Sequence, residues 1–118
     1  MKVEVKVTSN FKKQAKPLLK KYPLLISELD KLENELTKNP KLGKPLGSDA
    51  YKIRLSIKSK GRGKSGGARV ITHIESEIIG VIEQVEEAFT VNLLTIYDKS
   101  DTESITDKEL KGLIKNIR

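Results

Sequence analysis

The stretch that most constrains this chain is Tyr51 to Arg69, YKIRLSIKSKGRGKSGGAR. From Tyr51 to Ile57 apolar and polar residues alternate, with Tyr51, Ile53, Leu55 and Ile57 set against Lys52, Arg54, Ser56 and then Lys58. A period of two marks a half-buried strand, so one side of a sheet is expected to be core and the other cationic. Gly61, Gly63, Gly66 and Gly67 break the pattern, as a loop needing positive φ or close backbone approach does. Arg69 then opens the β-branched run Val70-Ile71-Thr72, predicted to return antiparallel beside the first strand. In the right register this hairpin gathers Lys52, Arg54, Lys58 and Arg69 on one concave surface. Such a surface suits phosphate, because arginine offers a planar fork and lysine a mobile point charge.

The same stretch holds seven basic residues and no acid, while the rest of the 118-residue chain balances 16 basic against 16 acidic residues. The formal charge of +7 therefore belongs to this segment. An acidic partner is expected, either nucleic acid or an acidic protein. The length suits one domain, residues 1–118, with a real core. No run approaches the ~18 to 20 apolar residues of a membrane span, and Met1-Lys2-Val3-Glu4-Val5 reads as a charged strand, not a signal peptide. Without cysteine there is no disulfide framework, thiolate chemistry or cysteine-based zinc site. A cytoplasmic location with no membrane partner is the default expectation.

Val3, Val5 and Val7 alternate with Lys2, Glu4 and Lys6 and predict a first strand. Thr8, Ser9 or Asn10 supplies an N-cap for a helix whose apolar face is Phe11, Ala15, Leu18, Leu19 and Tyr22. Pro17 is expected to kink or interrupt it. Pro23 suits the first turn of a second helix carrying Leu25, Leu29, Leu32 and Leu36, and Asn39-Pro40 ends it. The tight connection predicts an αα-hairpin. Lys41 to Asp49 reads as a Gly/Pro loop. After the basic hairpin, Glu75 to Phe89 fits either two longer strands or a short helix, since periodicity does not separate them. Thr90 to Tyr97 is a strong strand and Asp98 to Ser104 a polar loop. Thr106 and Glu109 form a capping box for a last helix through Leu110, Leu113, Ile114 and Ile117. The expected fold is α+β: an N-terminal strand and helical hairpin on a mostly antiparallel twisted sheet, with a C-terminal helix.

This succession resembles the RelE/ParE toxin superfamily, and within it the HigB-like branch with a lysine-glycine loop. The residues that carry the likeness are the Lys-rich helical hairpin, Asn39-Pro40, Gly43, Gly47, Tyr51-Lys52-Ile53-Arg54, Gly66-Gly67-Ala68-Arg69-Val70-Ile71 and Leu93 to Lys99. The resemblance implies a type II toxin that cleaves mRNA on the ribosome, uses neither metal nor cofactor, and pairs with a cognate acidic antitoxin. It further implies that Lys52 and Arg54 occupy the family's basic strand positions and Arg69 its phosphate-holding arginine, and that Lys58, Lys60, Arg62 and Lys64 bind RNA. The best-known members place an arginine near the C-terminal end and a tyrosine in the last segment. Here Lys99 follows the strand and no tyrosine lies beyond Tyr97, so Lys99 and Tyr97 stand as catalytic candidates. ParE-like relatives, which poison DNA gyrase without cutting RNA, give a second expectation, and a degenerate toxin that only pairs with its antitoxin a third.

Cleavage by internal attack of a 2′-hydroxyl needs a base, positive charge for the phosphorane-like transition state and an acid for the leaving oxygen. The lone histidine, His73, reads better as structural than catalytic. A lysine crowded by cations loses part of its preference for the charged form and can serve as the base. Gly63-Lys64-Ser65 is not a P-loop, since position 58 holds lysine where glycine is required. Glu83, Glu86 and Glu87 lack metal-ligand spacing and read as solvated charge.

Overall fold

The computed structural model describes residues 1–57, 67–81, 84–102 and 104–117. In chain order the elements are β1 (Lys2–Val7), α1 (Ser9–Lys21), α2 (Leu25–Lys38), β2 (Lys44–Gly47), β3 (Ala50–Leu55), β4 (Ala68–Val81), β5 (Gln84–Asp98) and α3 (Asp107–Lys115). The fold is α+β, with one five-stranded sheet in the order β1-β5-β4-β3-β2. β1 lies parallel to β5, and every other pair is antiparallel. The two helices carry the chain across one face of the sheet, from β1 at one edge to β2 at the other.

Thr8 is the N-cap of α1. Its hydroxyl oxygen accepts from the Phe11 N–H at 3.2 Å and donates to the Leu93 carbonyl at 2.8 Å, so one side chain both starts the helix and ties it to β5. α1 runs through Pro17 to Lys21, which corrects the expected interruption. Both Pro17 and Lys13 are exposed, so water can meet the carbonyl that the missing N–H leaves unbonded. Pro23 lies in the turn before α2, where the Leu25 N–H donates to the Tyr22 carbonyl at 3.0 Å, and not in the helix's first turn. At the other end, Thr106 and Glu109 form the expected capping box of α3.

Phe11, Ala15, Leu25, Leu32 and Leu36 of the helical pair bury against Ile53, Leu55, Val70, Val91, Leu93 and Ile96. Each leucine, isoleucine, valine or phenylalanine among them contributes roughly 1.5 to 3 kcal/mol when fully withdrawn from water. A second, smaller cluster forms on the opposite face, where Leu110 of α3 covers Ala50, Ile71 and Leu94. A bulge makes this possible. Ile71 pairs with Thr95 and Thr72 with Leu93, leaving Leu94 unpaired. The extra residue lets Leu94 turn toward α3 while Leu93 and Ile96 both stay under α1 and α2.

One loop reading is corrected, and one choice between strand and helix is decided. Within Lys41 to Asp49, Lys44–Gly47 is an edge strand paired with β3. The turn is two residues long, with Ser48 at φ 54° and Asp49 at φ 58°, the left-handed pair whose twist matches a hairpin. Within Glu75 to Phe89, the described residues 75–81 and 84–89 are strand on the two sides of a ribbon, so β4 and β5 are 14 and 15 residues long. Among the described residues, no helix is long and apolar enough to cross a membrane.

Candidate functional site

Strand register assembles the basic residues. Arg54 on β3 stands opposite Arg69 on β4, and Arg69 stands opposite Tyr97 on β5. Directly opposed residues project from the same sheet face, so these three form one row. Lys52 lies two residues from Arg54 and therefore on the same face, and Lys44 of β2 is its partner. This is the α3 side of the sheet, since Ile71, two residues from Arg69, packs in the cluster around Leu110. The face is therefore not purely cationic, as the alternation alone predicts. α3 covers its middle and leaves the basic row beside it.

Gly67 sets the foot of this row. A Cβ there would run into the Leu55 carbonyl oxygen, so only glycine lets β4 begin so close to β3. The Gly67 carbonyl also accepts from the Lys99 backbone N–H at 3.0 Å, which extends the β4–β5 pairing by one residue and brings Lys99 to the same end. Asp98, only 2% exposed, fixes the turn that follows. Its carboxylate accepts from the Ser100 N–H at 2.9 Å, the Ser100 hydroxyl at 2.7 Å and the Tyr22 hydroxyl at 3.2 Å.

Charge is held here against its own preference. Arg69 is 4% exposed, and its Nη1 donates to the Ala68 carbonyl at 3.1 Å. Burial, followed by the neighbouring Arg54, pulls its pKa below the ordinary arginine value, and Tyr97 opposes the shift. Lys52 is lowered as well, first by burial and then by Lys44, Lys99, Arg69 and Arg54. Strand register sets Lys44 opposite Lys52 and Arg54 opposite Arg69, and like charges crowded in this way disfavour one another's charged forms. Tyr97 is half-buried, and burial pushes its phenol up, with Arg69 pulling the other way. The phenol stays protonated at neutral pH and is able to donate. Tyr97 also lines a groove of about 420 Å³ with Asn10, Gln14, Ile105, Glu109 and Leu113, within the size range of small-ligand clefts.

The structure thus brings together Lys52, Arg54, Arg69, Tyr97 and Lys99. Lys58, Lys60, Arg62 and Lys64 lie outside the described residues. Tyr51 and Tyr97 part company: Tyr51 packs with the core under α1 and α2, and Tyr97 sits on the site face. His73 is half-buried and two alternations, roughly 13 Å, along β4 from Arg69, outside the basic row. Sequence reasoning missed Lys44, which was read as part of a loop. The signal was present in Gly47-Ser48-Asp49, since a left-handed turn directly before a strand implies another strand before it. Among the described residues, no group of three or more His, Cys, Asp and Glu is placed to hold a metal ion. No family model matches the chain, and no solved structure matches it.

Proposed function

We propose that this protein is a ribosome-dependent mRNA endoribonuclease, the toxin of a type II pair neutralised by an acidic antitoxin. One observation carries the reading: Arg54, Arg69 and Tyr97 stand in a single cross-strand row, with Lys52 and Lys99 at its ends. A scissile phosphate laid on that row would meet two guanidinium groups, the kind of donor that stabilises a developing phosphorane. Lys52 serves as base. Its lowered pKa raises the fraction of neutral amine that can take the 2′-hydroxyl proton. The 2′ oxygen then bonds to phosphorus, the bond to the 5′ oxygen breaks, and Tyr97 or Lys99 gives that oxygen a proton. A 2′,3′-cyclic phosphate and a 5′-hydroxyl result. The groove beside Tyr97 offers room for a flanking base to stack.

In vitro translation with primer extension on the mRNA tests this. Wild-type protein is expected to cut message, and a folded Arg69→Ala variant to cut it roughly 100-fold more slowly, the loss of about 3 kcal/mol that follows removal of one transition-state contact. Intact message alongside inhibited gyrase supercoiling would replace this reading with the ParE-like one.

A further inference from the structure

β4 and β5 run on past the rest of the sheet. The last residue of β4 paired with β3 is His73, and the last residue of β5 paired with β1 is Ala88. Beyond them the ribbon has no other strand beside it among the described residues. The Cα radius of gyration is 14.9 Å, against about 13.5 Å for a compact chain of this length, and the longest dimension is 52 Å. The molecule therefore carries an arm.

The arm is chemically distinct. Residues 75–89 contain five acids and no basic residue, the converse of 51–69. Glu75, Glu77, Glu86 and Glu87 are exposed. Ile78 is 74% and Val85 62% exposed. Register places both on the same face, since Val85 pairs with Gly80, two residues from Ile78. A free strand edge with uncovered apolar side chains is a surface that natural proteins ordinarily cover or blunt.

We infer that this arm docks on the cationic face of a second copy of this chain. Charge complementarity selects the occupant. Register puts Glu75, Glu77 and Glu86 on one face of the arm, with Glu86 3.4 Å from the N-terminal ammonium, and Glu87 on the other face beside Ile78. This acidic arm meets Lys44, Lys52, Arg54 and Lys99 on the neighbour. The two surfaces cannot meet within one molecule, because Ile78 lies nine residues, roughly 30 Å, along β4 from Arg69. The contact joins unlike patches, so it closes as a dimer when reciprocal and grows into longer chains otherwise. Charge layout alone carries this inference, and nuclease activity has no part in it. If the cationic face also takes RNA, the docked arm covers that site.

Sedimentation of the purified full chain across ionic strength tests the idea, with circular dichroism to verify each variant's fold. Self-association is expected at low salt and dissociation to monomer near 1 M, where the Debye length is about 3 Å. Glu75→Lys/Glu77→Lys, which reverses two charges on one face of the arm, should be monomeric at all salt concentrations, and so should Lys52→Glu/Arg54→Glu. Mixed one to one, the two variants should form a salt-sensitive complex, because the reversed arm now fits the reversed face. Monomeric wild type at low salt overturns the inference. So does self-association that persists in both variants, which would indicate direct pairing of arm edges, or a mixture that stays monomeric.

Discussion

The two ends of the β4–β5 ribbon are built from the same pair of strands and treat charge in opposite ways. At one end β3, α3 and the helical pair surround the ribbon, and Arg69 is 4% exposed on a strand where Val70 and Ile71 are wholly buried. At the other end, among the described residues, β3 stops pairing at His73 and β1 at Ala88. Glu75, Glu77, Glu86 and Glu87 are exposed there, Glu75 accepting from the Asn92 amide at 3.0 Å and Glu86 lying 3.4 Å from the N-terminal ammonium. Arg69, Glu75 and Glu77 project from the same face of β4, so position in the alternation does not decide which charges are desolvated. Neighbouring elements do. A charge forced out of water beside like charges is costly to the fold and useful to chemistry, whereas a solvated carboxylate is neither.

The contrast breaks first at Gly67. Gly67→Ala should cost about 3 kcal/mol or more in denaturant unfolding, because its Cβ meets the Leu55 carbonyl and β4 has to move away from β3. On the arm, Ile78→Ser should change stability by no more than about 0.5 kcal/mol, since the side chain leaves no cavity. Equal losses at the two positions would show that the arm is as tightly packed as the site.

Lysine 52 sharpens the comparison through pH. Its folded pKa is below the ordinary value, so over the window beneath that value the unfolded chain binds more protons and stability rises with pH. Below the folded pKa the penalty is fully present. Lys52→Met should flatten this rise in pH-dependent unfolding, by a smaller effect than Gly67→Ala. For the reaction, rate should climb with pH toward the same window as Lys52 loses its proton, and Lys52→Ala should lower the chemical step more than RNA binding. A rate independent of pH, with an unaltered Lys52→Ala variant, would remove this lysine from the chemistry.

Much of the basic end was legible in the chain. The alternation Lys52, Arg54 against Ile53, Leu55 fixed the faces, and Gly67-Ala68-Arg69 marked the return strand. What the alternation could not carry was the cover on the second face. That depends on a bulge at Leu94, which pattern does not announce, and on α3 closing over Ile71 from the far end of the chain. Lys44 was hidden for a related reason. An edge strand containing Pro45 and Gly47 has loop composition, and only pairing with Tyr51 and Lys52 makes it a strand. Glu75 to Phe89 was ambiguous because short apolar runs do not distinguish strand from helix until a partner strand is known.

The most direct measurement of the central claim uses ribosomes pre-assembled on an mRNA with a single 2′-deoxy substitution immediately upstream of the scissile phosphate. If Arg54 and Arg69 hold the phosphate while Lys52 activates the substrate's own hydroxyl, this message should be bound and stay whole, and its all-ribose counterpart should be cut to a 2′,3′-cyclic phosphate end. Cleavage of the deoxy message at the normal rate would contradict internal attack.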